Sequence, residues 1–130
     1  MPKNILLIED HPETIDIYKD LFQKEGFSLE VLSSGKLAKE KIRALSENST
    51  GEKPSLILLD LMLPDTNGEE LLKIIRNNSN TSSIPVMIFT NYTDPNQKQE
   101  LEKLGIEKFI TKTDQTPLEF VELVKNWFKD

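Results

Sequence analysis

Three short stretches of the chain are apolar at every position: Ile5-Leu6-Leu7-Ile8, Leu56-Ile57-Leu58-Leu59 and Val86-Met87-Ile88-Phe89. A strand wetted on one face alternates apolar and polar residues. Unbroken runs of this length therefore predict strands of a parallel sheet covered by helices on both sides. Ser28–Leu32 and Lys108–Ile110 are weaker strand candidates. Between these runs the apolar spacing lengthens to three and four. Pro12–Glu25 sets Ile15, Tyr18, Leu21 and Phe22 on one helical stripe, with Gly26 as the C-terminal cap. Gly35–Leu45 is a second, weaker helix. Asn67-Gly68-Glu69-Glu70 has the form of a capping box opening a third, with Leu71, Leu72, Ile74 and Ile75 directed inward. Pro95–Leu104 is a fourth, stopped by Gly105. Thr116-Pro117-Leu118-Glu119 combines a capping box with proline at the first helical position, opening a fifth. That helix points Phe120, Val121, Val124 and Phe128 at the core, with Leu123 and Trp127 beside them. Glu47–Pro54 is polar and reads as a loop. Five strand–helix units in sequence predict an α/β, doubly wound, five-stranded parallel sheet with five helices.

Length and composition narrow this without changing it. The 130 residues suit one compact domain, and 37% hydrophobic with 29% charged residues is a globular balance. A net charge of -6, from 22 acidic and 16 basic residues, argues against direct nucleic-acid binding or an anionic-membrane surface. The absence of cysteine excludes disulfides, thiolate metal sites and thiol nucleophiles. The first ten residues lack the pattern of a signal peptide, and no apolar run approaches the roughly 20 residues of a membrane span. A cytoplasmic protein is expected.

In sheets of this class, functional groups gather at the carboxyl ends of the strands. The first strand ends in Glu9-Asp10, the third in Asp60, the fourth in Thr90, and Lys112 follows the fifth. Three carboxylates brought to one edge repel one another unless a cation intervenes, and hard oxygen ligands with room for water suit Mg²⁺. A phosphoryl group in transfer carries charge on three oxygens, and its catalysis is mainly positioning and charge stabilisation. The cation, the Lys112 ammonium and the Thr90 hydroxyl would each meet one oxygen, with one carboxylate as the nucleophile.

The stretch from Leu56 to Gly68, with Pro64 four residues and Gly68 eight residues after Asp60, resembles the phosphoacceptor motif of response-regulator receiver domains. Glu9-Asp10 is similar to that family's acidic pair, Thr90 to its switch hydroxyl, Lys112 to its lysine and Phe109 to its switch aromatic. The resemblance runs from Lys3 to about Phe128, and five motifs in order are a specific signal. It implies a flavodoxin-like sheet of order 2-1-3-4-5 and a single receiver domain over residues 1–130. It further implies that Asp60 is the phosphorylation site, with Asp10, Asp60 and the Met62 carbonyl as direct ligands of Mg²⁺ or Mn²⁺ and Glu9 acting through water. Asp60 would be phosphorylated by a sensor histidine kinase, a histidine phosphotransfer protein or a small phosphodonor. Thr90 and Phe109 would then reshape the surface of the fourth helix, fifth strand and fifth helix for a downstream protein target or effector domain, and for weak homodimer pairing. Such a domain catalyses its own phosphoryl gain and loss, yet it is a signalling device rather than an enzyme.

Thr113 stands where the family usually has proline, often after a cis bond, and Asn91 where a small residue is usual. Ser55 stands where an acidic residue is common. Singly, Glu9 and Asp10 would read as helix caps, Lys112 as a surface lysine, Phe109 as a core aromatic and His11 as a solvent-facing loop residue. The joint occurrence of Glu9, Asp10, Asp60, Thr90 and Lys112 favours the phosphate-and-metal site, whereas His11 keeps its loop reading. The alternative is a receiver-like interaction module that works without phosphorylation. A flavin or nucleotide binder would need an anion-accepting loop after the first strand, where this chain has Glu9-Asp10-His11-Pro12-Glu13. An aspartyl phosphatase would need an Asp-x-Asp pattern there, which is absent.

Overall fold

The computed structural model describes residues 3–47, 52–91 and 94–129. Each wholly apolar run is a strand of one parallel sheet: β1 (Asn4–Ile8), β3 (Leu56–Leu59) and β4 (Val86–Thr90) occupy its centre. The polar-mixed runs β2 (Ser28–Leu32) and β5 (Lys108–Thr111) are its edges, in the order β2-β1-β3-β4-β5. That division follows from burial, since a central strand is covered on both faces and an edge strand is not. Helices α1 (Pro12–Lys24), α2 (Gly35–Glu47), α3 (Gly68–Arg76) and α4 (Pro95–Leu104) connect the strands, and α5 (Pro117–Phe128) follows β5.

Because side chains alternate along a strand, the sheet sends two sets of residues into two cores. Leu6, Ile8, Ile57, Leu59, Val86 and Ile88 pack with Ala38 and Ile42 of α2, Leu71, Leu72 and Ile75 of α3 and Leu101 of α4. Ile5, Leu7, Leu56, Leu58, Met87 and Phe89 pack with Tyr18 and Phe22 of α1 and Phe120, Val121 and Val124 of α5. Each fully buried side chain of this size contributes about 1.5–3 kcal/mol.

Gly26 ends α1 in the left-handed region at φ 87, and the turn is a Schellman motif. Phe27 N–H donates to Phe22 O at 3.0 Å, Gly26 N–H donates to Gln23 O at 3.0 Å, and the Phe22 and Phe27 rings meet 5.6 Å apart. The capping box at α5 forms in both directions: Glu119 N–H donates to Thr116 Oγ1 at 3.1 Å, and Thr116 N–H to Glu119 Oε1 at 2.8 Å.

The box expected at α3 is only half formed. Asn67 Oδ1 accepts from Glu69 N–H at 2.7 Å, but the Glu70 carboxylate accepts from Thr66 Oγ1 at 3.4 Å instead of returning to Asn67. Ile74, expected inward, is 37% exposed. It lies one helical step of about 100° from Ile75, on the flank of a stripe already filled by Leu71, Leu72 and Ile75. Helix α2 continues through Glu47, and residues 48–51 of the expected loop lie outside the described residues. Among the described residues no helix is long and apolar enough to cross a membrane.

Candidate functional site

Parallel strands finish on the same edge, so the residues that follow them meet there. Asp60 N–H donates to Ile8 O at 3.1 Å, and Glu9 N–H to Leu32 O at 3.1 Å, which carries the backbone pairing just past the strand ends. Glu9, Asp10, Asp60, Thr90 and Lys112 line one cleft of about 520 Å³ together with His11, Glu13, Thr14, Met62 and Asn91. Carboxylate oxygens of Glu9, Asp10 and Asp60 all lie within 4.8 Å of one another.

Lys112 is the counterion inside this cluster. Its ammonium donates to Glu9 Oε1 and, at 2.9 Å, to Asp60 Oδ2. The second Glu9 oxygen accepts from the backbone N–H groups of Asp10 at 3.0 Å and His11 at 3.2 Å, so this carboxylate is fully engaged by protein. Asp60 Oδ1 accepts from Met62 N–H at 3.1 Å. Asp10 is half-buried at the cleft, and its carboxylate has no hydrogen bond or ion pair among the described residues. Three carboxylates against one ammonium leave negative charge that a divalent cation would neutralise, and the oxygen-only donor set suits a hard ion.

Burial governs the electrostatics. Glu9 is 1% exposed, and loss of water pushes its carboxyl above the usual range. The Lys112 hydrogen bond opposes that rise and the Asp60 charge adds to it. Burial alone would lower the Lys112 ammonium. Its bonds to Glu9 and Asp60 outweigh that, and the group is held above its ordinary value.

The sequence pattern of the response regulator receiver domain matches residues 5–125. The chain belongs to this family. Over 130 residues it is 26% identical to the polar-differentiation response regulator DivK of Brucella anthropi, covering 100% of this chain and 99% of that protein. The Mn²⁺-bound form of the response regulator Rcp1 superposes with a TM-score of 0.85 at 26% identity, covering 98% of this chain and 94% of that one. The phosphorylated cyanobacterial phytochrome response regulator RcpA superposes with a TM-score of 0.81 at 25% identity, covering 97% and 91%. A receiver is a signalling module rather than a metabolic enzyme, and the flavodoxin-like order 2-1-3-4-5 agrees with the expected fold.

This receiver brings the expected acidic pair, Asp60, Thr90 and Lys112 to one place, with Met62 exposed at the rim. Phe109 is elsewhere. It is half-buried on β5 and lines a separate cavity of about 430 Å³ with Asp94, Pro95 and Lys98, whose Nζ lies 5.5 Å from the ring centroid. Lys112 opens a single 3-10 turn, Lys112–Asp114, and no peptide bond among the described residues is cis, that to Thr113 included. Ser55 pairs the start of β1 with the approach to β3: its N–H donates to Asn4 O at 2.7 Å, and its Oγ accepts from Asn4 N–H at 3.3 Å.

Gly68, already marked in the motif after Asp60, has a structural reason here, whereas the supporting residues Asp65 and Arg76 were not foreseen. Gly68 N–H donates to Leu61 O at 2.9 Å, folding the Asp60 loop back on itself. A Cβ at Gly68 would meet Asp60 O at 2.7 Å and Leu61 Cα at 2.8 Å, so this close approach requires glycine. The Asp65 carboxylate caps α2 from a distance, accepting from Gly35 N–H at 2.7 Å and Lys36 N–H at 2.9 Å. Those bonds hold its carboxyl below the usual range. Arg76 donates to the carbonyls of Gly105, Ser82 and Ile84 at 2.8–3.1 Å, tying α3 to the ends of two other segments. The partners of Asp65 and Arg76 are not adjacent to them in sequence, so no local pattern announces those two.

Proposed function

We propose that the chain is a single receiver domain over residues 1–130 that accepts a phosphoryl group on Asp60. The observation that carries this is the Lys112 ammonium bonded to both Asp60 and Glu9, with Asp10 completing a carboxylate cluster within 4.8 Å. Asp60 attacks phosphorus with a carboxylate oxygen while the phosphorus–nitrogen bond of a donor phosphohistidine breaks, its electron pair returning to the imidazole. Lys112 and the Thr90 hydroxyl then bind phosphoryl oxygens. Asp10, Asp60 and the Met62 carbonyl would hold Mg²⁺ or Mn²⁺, and Glu9, whose oxygens are already engaged, would act through water. When bound, the cation offsets the charge of the carboxylates and of the arriving phosphoryl group. The Mn²⁺ of Rcp1 and the phosphorylated state of RcpA, each in a relative of at least 25% identity, support this reading.

Phosphorylation changes the surroundings of Thr90, and Phe109 follows by turning inward, which reshapes the face formed by α4, β5 and α5. The partners are a sensor histidine kinase or histidine phosphotransfer protein upstream and a protein target downstream, in the cytoplasm. A weak homodimer forms through the same face.

Intact-mass spectrometry after incubation with Mg²⁺ and acetyl phosphate tests the acceptor. A single phosphoryl adduct is expected, dependent on Mg²⁺ and absent in Asp60→Asn. Failure of acetyl phosphate together with failure to bind beryllofluoride would refute it and leave the phosphorylation-independent module. Sedimentation with and without beryllofluoride checks the dimer, which a monomer in both conditions would remove.

A further inference from the structure

Lys112 has a third neighbour besides its two carboxylates. Its Nζ lies 5.1 Å from the centroid of the Phe89 ring, inside the roughly 6 Å range over which an ammonium is drawn to an aromatic face. That ring is itself held from two sides. It stacks on Phe120 of α5 with centroids 4.2 Å apart and planes at 10°, and Tyr18 of α1 meets it edge-on at 5.2 Å and 84°. Tyr18 and Phe120 also meet edge-on, at 5.5 Å and 89°. Helices α1 and α5 therefore fix this β4 ring beneath the ammonium.

The lysine needs such a support. Its stem is flexible, and its other two partners are the carboxylates whose charge and company change when the site works. Asp60 loses its negative oxygen on becoming an acyl phosphate, and a cation held by the cluster would compete with Lys112 for the carboxylates. The face of Phe89 does not change with either event. Lys112 is 15% exposed along its side chain, so water screens the contact only weakly.

We propose that Phe89 is a positioning residue for phosphoryl transfer, its ring holding the Lys112 ammonium at the Asp60 edge whatever the state of the carboxylates. This rests on the reading of Asp60 as phosphoacceptor. The plain alternative is a core aromatic that only fills space, and the two differ in one respect: packing depends on the ring's shape, whereas holding an ammonium depends on its negative face.

The test replaces Phe89 with a ring-fluorinated phenylalanine, which keeps the shape and weakens the face, beside Phe89→Leu, which removes the ring. The readouts are the initial rate of Mg²⁺-dependent phosphorylation by acetyl phosphate and the ring-current shift of the Lys112 ε-methylene protons by NMR. The fluorinated protein should react about 3- to 10-fold more slowly at an unchanged urea midpoint. The Lys112 protons should be shifted in the wild type and lose that shift in Phe89→Leu. Equal rates for the wild type and the fluorinated protein, or unshifted Lys112 protons in the wild type, would overturn the proposal. If the wild type takes no phosphoryl group from acetyl phosphate and does not bind beryllofluoride, the reading of Asp60 fails and the role in transfer falls with it. The NMR shift separately reports whether the ring holds the ammonium.

Discussion

Replacing Lys112 with methionine keeps a long side chain and removes its charge. Glu9 and Asp60, 1% and 5% exposed, would then stay buried without their ammonium. Removing one member of a buried ion pair costs about 3–5 kcal/mol, because the remaining charge is left uncompensated. The opening beside Lys112, 15% exposed, relieves part of that, which brings the expected loss to about 2–4 kcal/mol. With a urea dependence of about 2 kcal/mol per molar, the midpoint of unfolding should fall by about 1–2 M in the presence of a chelator. Two further effects follow from the same cause. The Glu9 carboxyl is already pushed up by burial and restrained by its Lys112 bond, so without Lys112 it takes up a proton more readily on folding. The folded variant then binds more protons than its unfolded chain, its stability rises as pH falls, and the gap to the wild type narrows on acidification. Added Mg²⁺ should narrow the gap as well, since a cation beside the same oxygens replaces the missing charge. A midpoint within about 0.2 M of the wild type in chelator would refute the assignment of Lys112 as the internal counterion.

Tyr18 supplies an alkaline test. Burial, and secondarily the Glu9 charge, raise its phenol from 10.0 to about 12, so the folded chain keeps the proton longer than the unfolded one. Its contribution of about 2–3 kcal/mol is complete below pH 10 and is lost as pH rises through about 12, and thermal melts of Tyr18→Phe should lack that component. Arg76→Ala removes the donors to three backbone carbonyls on two segments and should cost about 2–4 kcal/mol by urea denaturation, with the Asp60 site still able to bind beryllofluoride. A loss below about 0.5 kcal/mol would mean that water satisfies those carbonyls equally well.

The architecture was legible because its strongest signals are local. Three runs apolar at every position can be satisfied only by coverage on two faces, which fits the central places that β1, β3 and β4 occupy in the sheet. The weaker runs proved weaker for a physical reason. Ser28 and Glu30 of β2 and Lys108 of β5 are exposed because those strands lie at the edges. Ile74 misled because α3 has only nine residues and fills its contact with the sheet through Leu71, Leu72 and Ile75. An apolar side chain on the flank then stays outside even though its spacing resembles that of its neighbours. The half-formed box at Asn67 has a similar origin. A capping pattern states which groups could bond, and Glu70 found the Thr66 hydroxyl instead.

The site divides along the same line. Groups that act at the strand ends could be read in advance, because a parallel sheet delivers the ends of β1, β3, β4 and β5 to one edge whatever the loops do. Apart from Gly68, which the motif after Asp60 already marked, the groups that hold them in place could not. Asp65 reaches the N-terminus of α2 thirty residues back in the chain, and Phe89 lies beneath a lysine that follows another strand. Each depends on distances that exist only after folding. This also explains why Phe89 reads along the chain as the last apolar residue of a strand. Its packing role shows in the pattern of β4, whereas its contact with Lys112 comes from the arrival of β5 beside it, through the pairing of Phe89 with Ile110 two residues before that lysine. A substitution that shifts the β4–β5 register should therefore displace Lys112 from the ring while leaving every local signal of the fourth strand intact.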